Sequence, residues 1–399
     1  MQRRVVVTGI GPVSALGTGV DSFAAALRTG RSGVGPVTSF DTAGFERRAG
    51  GEVPDFHPER HLRRLPPDGW GRTSQFAAVA ARLAVEDAGT ELPPDRTAVV
   101  MGTTGGEMPT LVDIAAAWHE QGLGAPDPAA AARLATSRLG LAAARELGLR
   151  AETSTIGTAC AASNYAIGHA YDLISLGEAD VAVAGGADSV NLFFHAGFHR
   201  LGALAEEQCR PFDRDRTGIL TAEGGVALVL ESLDSAVARG ARCYAEVLGW
   251  AMTCDAKHPV APDPDSIARC VRLAHKRSGV TSDQVDYISA HGTGTRTNDL
   301  VESVAVRAVF GPTPPPMSST KSMLGHTMGA ASGFGAVACA LAISSGFLPP
   351  TINHTTHDPE LDGIDPVPNR QRPAEVCIAQ NHGFAFGGNN AVVMFGRTT

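Results

Sequence analysis

Apolar and polar positions follow one another in blocks whose period switches between that of a buried strand and that of a helix. Continuous apolar runs at 4–9, 97–101, 179–186, 225–231, 244–250, 285–290 and 377–380 predict strands, the run at 179–186 being apolar enough for a sheet covered on both faces. Segments with helical spacing at 21–28, 73–88, 129–147, 266–278 and 299–310 predict the helices between them. Asp21 reads as the cap of the first, and Phe76, Val79, Ala80, Leu83 and Ala84 form one apolar stripe on the second. A further helix from Asp234 ends at Gly240, after which the strand–helix alternation begins again. The pattern therefore predicts an α/β fold with two halves, 1–240 and 241–399.

Two stretches need a closer reading. Gly9-Ile-Gly11-Pro12-Val-Ser14 follows the first strand, but Ser14 replaces the third glycine of a dinucleotide fingerprint and Pro12 sits in the turn, so a structural strand–loop is expected. Residues 327–350 carry no formal charge and are long enough to cross a bilayer. Gly, Ala and Ser dominate them and Pro349-Pro350 close them, which predicts a helix buried inside the protein rather than a membrane span.

Composition narrows the class. The 399 residues are 43% hydrophobic and 19% charged with 46 glycines, enough for a large, closely packed core. A net charge of −8 gives no basic footprint for nucleic acid. The seven cysteines show no zinc spacing, and Met1-Gln-Arg-Arg leads into an apolar strand without the longer core of a signal peptide; both point to a reducing, cytoplasmic setting. Only Lys257, Lys276 and Lys321 are lysines, so a lysine inside a motif stands out.

Residues 153–163, Thr-Ser-Thr-Ile-Gly-Thr-Ala-Cys160-Ala-Ala-Ser, place Cys160 on a strand-to-helix turn, where a helix start would favour the thiolate. A small core cysteine explains that residue locally just as well. His291-Gly-Thr293-Gly-Thr295 and Ser-Thr-Lys321-Ser-Met-Leu-Gly-His326 also follow apolar strands, and each histidine alone could be structural. Asp299 and Glu302 share one helix face. They either compensate the helix dipole or, in the case of Glu302, lie buried beside Lys321.

Taken together these motifs, with Arg4-Val-Val-Val-Thr-Gly-Ile-Gly, Asp180-Val-Ala-Val-Ala-Gly-Gly-Ala, Arg210-Pro-Phe-Asp and Phe384-Ala-Phe386-Gly-Gly, resemble the elongating β-ketoacyl-acyl carrier protein synthases of the thiolase superfamily nearly end to end. The resemblance implies a thiolase-like fold, layered αβαβα, built from two pseudo-symmetric halves with mixed five-stranded sheets. It implies a Cys–His–His set of Cys160, His291 and His326, whereas thiolases carry a second cysteine and coenzyme A-primed relatives an asparagine. Cys160 would be acylated, and His291 and His326 would stabilise an enolate formed from a malonyl carrier. Lys321 and Glu302 would orient His326. The amides of Cys160 and Phe384 would hold the oxyanion, with Phe384 also the gate over the nucleophile. Thr293, Thr295, Gly105, Phe386 and Asp299 are the expected substrate contacts. No metal or other cofactor is implied, since acyl groups arrive on the phosphopantetheine of an acyl carrier protein. The expected assembly is a homodimer, or a heterodimer with a chain-length-factor-like subunit.

Departures from the family pattern lie around these residues. Ala385 adds a Cβ in the gating loop, Val260 replaces a hydroxyl contact, and Gly105 stands where a bulky aliphatic side chain shortens the acyl pocket in many relatives. These favour a type II polyketide or other specialised pathway over housekeeping fatty acid synthesis. A non-catalytic partner subunit would lose the nucleophile. A hydrolase would need an element such as the Gly-x-Ser-x-Gly elbow, which the chain lacks.

Overall fold

A computed structural model describes residues 3–398; Met1 and Gln2, where the segment read as leaderless begins, and Thr399 lie outside the described residues. An 11-stranded sheet organises the chain. Its main strands are β1 (Val5–Ser14), β2 (Thr97–Gly102), β3 (Thr153–Ile156), β4 (Val181–Asp188), β5 (Gly224–Ser232), β6 (Ala245–Cys254), β7 (Tyr287–Ser289), β8 (Met317–Ser318), β9 (Ile378–Phe384) and β10 (Asn389–Gly396). The helices that matter here are α1 (Arg72–Ala88), α2 (Ala162–Ser175), α3 (Leu192–Arg200), α4 (Pro264–Ser278), α5 (Arg296–Phe310) and α6 (Ala331–Ser345).

The order β3-β2-β4-β5-β1 is matched by β8-β7-β9-β10-β6. In each five the first two pairings are parallel and the last two antiparallel, so the two halves repeat one topology. They join where β1 meets β6 antiparallel over Val5–Val7. Helices α2 and α6 pack on each other in a central layer, with α1 covering the first half and α4 the second from outside. This is the layered thiolase-like arrangement expected from the motifs.

Small residues make the layers possible. A Cβ on Gly168 of α2 would come within 2.1 Å of the Trp250 ring, and one on Gly335 of α6 within 2.3 Å of Asn381 Oδ1, so both central helices sit against the sheet where no larger residue fits. Every residue from Ala331 to Ile343 is buried, and the uncharged span Met328–Ser345 is 89% enclosed by protein. All seven cysteines are free.

The local reading needs four corrections. Strand β1 does not stop at residue 9. It runs on to Ser14, because α1 lies so close that a Cβ at Gly9 or Gly11 would fall 2.1 Å from the Ala84 or Ala80 carbonyl oxygen; these glycines serve close packing, not a loop. Asp21 does not cap a helix: the helix is Val20–Thr29, it follows Gly19, and Asp21 only lends its charge to the first turn. The helix expected over 129–147 is two, Pro128–Arg133 and Arg138–Leu147, and the break turns the second so that Leu139, Ala142 and Ala143 are buried. The strand expected over 377–380 runs on to Phe384, and the chain returns as β10, an apolar strand not expected from the pattern.

One local device occurs twice. Before α2 the chain makes a short 3-10 turn, Ala159–Ala161, entered with Ala159 at φ 47°; before α6 it makes another, Met328–Ala330, entered with Met328 at φ 49°. Positive φ is costly for residues with a Cβ and persists only where the surroundings impose it.

Candidate active site

Cys160 sits on the first of these elbows, 6% exposed, between β3 and the start of α2. Burial pushes its thiol up to about 11, against the opposing pull of the Lys321 charge and of the Cys160 and Phe386 backbone amides. The helix start therefore does not leave a thiolate at neutral pH, because desolvation outweighs it. One ring nitrogen each from His291 and His326 lies with Cys160 Sγ in a cluster whose atoms are all within 4.8 Å of one another. These are the three side chains singled out from the sequence, brought together from three loops.

The two imidazoles differ in how they are held. His326 Nδ1 accepts the Met328 amide at 3.0 Å, so the proton of the neutral ring belongs on Nε2. No hydrogen bond holds the His291 ring among the described residues; its backbone is held instead. Lys321 Nζ donates to the His291 carbonyl at 2.6 Å, and the Glu302 carboxylate accepts the amides of His291 (2.8 Å) and Gly292 (2.7 Å). Burial first, then the Lys321 charge, holds both histidines well below their usual range, so both are neutral at pH 7.

These contacts correct the expected roles. Lys321 and Glu302 form no direct ion pair with each other and hold the backbone of His291, while the Lys321 charge also tunes His326 by lowering its pKa. Sequence reasoning missed His382. Buried beside Glu302, it donates from Nδ1 to Glu302 Oε1 at 2.8 Å, while its Nε2 meets the Gln380 amide, which in turn meets His275. The signal was available in the alternation of β9, since Gln380, His382 and Phe384 share one face. Substituting His382→Leu is expected to destabilise the fold by about 1–3 kcal/mol, because a buried carboxylate loses a donor. H382N, whose amide reaches the Nδ1 position, should recover most of that loss in thermal unfolding; equal losses in the two variants would rule out the hydrogen bond as the cause.

Asp299 is not a substrate contact. Its carboxylate accepts the Thr293 (3.0 Å), Gly294 (3.2 Å) and Phe212 (2.9 Å) amides and lies beside Arg216, so it shapes the loop from beneath. Thr293 and Thr295 do line the site, their hydroxyls 3.0 Å apart, and Thr295 also caps α5.

Two cavities meet at Cys160. One, of about 550 Å³, runs past Thr293, Thr295, Val260 and His258 towards the surface. The other, of about 190 Å³, is walled by Phe193, Phe194, Met328 and Thr104. Gly105 lines neither: a Cβ there would meet Met108 and Phe194, which already fill its space, and the adjacent Thr104 forms the wall. Phe386 stands at the junction, 39% exposed and stacked on Phe198 at 5.8 Å. Its backbone amide is the one that joins Cys160's own at the sulfur. Phe384, given both tasks from the sequence, is 4% exposed and packed on His382 and His291, and it is Phe386, two residues later, that stands between the two cavities. Ala385 lies between them, packed against Cys160, Ala161 and Ala391.

Residues 2–236 match the family described as Beta-ketoacyl synthase, N-terminal domain, and residues 244–355 match Beta-ketoacyl synthase, C-terminal domain. The 3-oxoacyl-[acyl-carrier-protein] synthase 2 of Synechocystis sp. is 38% identical across 99% of this chain and 98% of its own length. Nodulation protein E of a Rhizobium strain is 37% identical across 99% of both. Among solved structures, the ishigamide ketosynthase/chain length factor superposes with a TM-score of 0.98 at 50% identity over all of both chains. A type II polyketide ketosynthase solved with its acyl carrier protein and a bound hexaketide gives 0.91 at 30%, again over all of both chains.

Proposed function

This chain belongs to the β-ketoacyl synthase family, and from that premise we propose that it joins a Cys160-bound acyl chain to malonyl-acyl carrier protein by decarboxylative Claisen condensation. The observation that carries the reading is the convergence of a thiol and two neutral imidazoles at the junction of a surface channel and an apolar pocket.

The chemistry follows from these positions. The Cys160 sulfur attacks the acyl thioester of a carrier, the amides of Cys160 and Phe386 take the oxyanion, and the carrier's thiol leaves with the proton given up by Cys160. His291, whose ring nitrogens have no hydrogen-bond partner among the described residues, is placed beside Cys160 to relay that proton. The acyl chain then lies in the apolar pocket and the pantetheine arm of the next carrier passes Thr293 and Thr295. Cleavage of the malonyl carboxyl–carbon bond releases carbon dioxide and leaves an enolate, whose oxygen receives hydrogen bonds from His326 Nε2 and His291. The enolate carbon attacks the thioester, the Cys160–acyl bond breaks, and the sulfur takes a proton from solvent. No step calls for a metal or redox cofactor.

A specialised polyketide role is supported by the 50% identity to the ishigamide ketosynthase/chain length factor, against 38% to the Synechocystis synthase. Pairing with a second subunit, a copy of this chain or a chain-length-factor-like partner, is supported by Leu111, Trp118 and Phe193, all exposed, the last also walling the acyl pocket. The intact Cys160, His291 and His326 favour the catalytic over the non-catalytic subunit. A cytoplasmic location accords with seven free cysteines.

The test is direct. After incubation with an acyl-acyl carrier protein, intact-mass spectrometry should show one acyl group on the protein, and added malonyl carrier should convert it to β-ketoacyl carrier. Absence of the acyl mass, or release of free acid without malonyl carrier, would sink the reading.

A further inference from the structure

Besides the nucleophile Cys160, Met328 touches both the acyl pocket and a catalytic ring. Its side chain walls the apolar cavity beside Cys160 and packs with Leu204 and Ile219, 2% exposed. Its amide is the hydrogen-bond partner of His326 Nδ1, at 3.0 Å. Its backbone stands at φ 49°, a conformation that packing must maintain.

The turn around it is clamped to the opposite wall of the same pocket. Asp188 Oδ2 accepts the amide of Gly329 at 2.7 Å and that of Thr104, also at 2.7 Å, while Oδ1 accepts the Thr103 hydroxyl and the Gly105 amide. A Cβ at Gly329 would lie 2.6 Å from the Thr103 backbone, so the two segments have no slack between them. Pressure from a bound chain on the Met328 side chain therefore falls on a turn whose next residue, Gly329, is tied to the Thr103–Thr104 backbone. Because the His326 ring has a single fixed partner, a small rotation of the Met328 peptide re-aims Nε2.

We propose that Met328 is a positioning residue through which the acyl chain in the pocket sets the aim of His326, so that the residue at 328 selects which chains are extended rather than which are loaded. The proposal rests on the condensing-enzyme reading. An acyl group long enough to pack on the Met328 side chain holds the strained turn and the His326 hydrogen bond in place. A shorter one is loaded equally well but condenses slowly, because displacing a catalytic donor by about 1 Å costs up to ~100-fold in rate.

The two steps can be read separately, using the purified protein with any subunit that copurifies. Straight-chain acyl pantetheine thioesters of increasing length report loading by intact mass. Malonyl-acyl carrier protein, added in excess to the acylated enzyme, reports condensation. In M328A, which keeps the amide but removes the side chain, condensation from pre-acylated enzyme should fall about tenfold and lose its dependence on length, a larger change than any in loading. M328L, similar in volume, should keep the wild-type profile. Parallel loss of loading and condensation in M328A would overturn the proposal by making Met328 a plain pocket wall, as would unchanged condensation. A wild-type enzyme that takes up no acyl group would instead overturn the condensing-enzyme reading, and this inference with it.

Discussion

Replacing Cys160 with alanine is expected to abolish both acyl-enzyme formation and condensation while leaving the fold intact. The acyl chain has no other resting place: the two cavities meet at this sulfur, and the amides of Cys160 and Phe386 are gathered at it. Without the covalent intermediate the reaction must proceed in one step between two carriers, and the loss should be on the order of 10^4-fold or more. Loss of carbon dioxide from malonyl carrier should survive in C160A, since that step uses the imidazoles and not the thiol. Intact mass, product formation and carbon dioxide release together separate these outcomes. Acyl mass on C160A, or condensation near the wild-type rate, would place the nucleophile elsewhere.

The second large effect concerns the histidines and pH. His326→Ala removes an Nε2 donor aimed at the enolate and should lower condensation by about 10²- to 10³-fold while Cys160 still accepts an acyl group. In the wild type both imidazoles must be neutral. Their pKa values are depressed by burial and by the Lys321 charge, so protonation begins only well below the usual histidine range. Condensation from pre-acylated enzyme should therefore stay level as pH falls through about 6.5 and drop only at more acid pH. Loading should behave differently: with the thiol pushed up to about 11, its rate should climb with pH across the neutral range. The same depression sets the sign for stability. The unfolded chain takes up protons on these histidines before the folded one does, so their contribution is present above the ordinary histidine range and is lost as pH falls below it. A condensation rate that halves near pH 6.5 would show that the rings titrate as if exposed.

How much of this the sequence disclosed depended on range. Cys160, His291 and His326 could be named because each stands in a motif of small residues after an apolar strand, and the structure brings them together. The roles of their neighbours were misread wherever the deciding contact is distant. Glu302 reaches the backbone of His291, eleven residues back, and His382, eighty residues on, and neither contact is implied by the helix face on which it stands. Phe384 and Phe386 are two residues apart in one motif, and only the β9–turn geometry decides which is buried and which stands at the cavity junction. Gly105 reads as an enlarged pocket, yet Met108 and Phe194 occupy the space its missing side chain leaves. The glycines of β1 read as a loop for a similar reason, since what they answer to is helix α1, some seventy residues away.

The paired elbows are put to different uses. Ala159 and Met328 hold the same strained backbone at the same place in two halves with one topology, which makes Gly329 the counterpart of Cys160. Two halves of one topology offer two equivalent places for a reactive side chain. Here the first carries the sulfur. At the second even a Cβ would collide with Thr103, and the freed turn lends its amide to His326 instead. Two like turns thus divide the labour, one presenting the thiol and the other steadying a ring beside it.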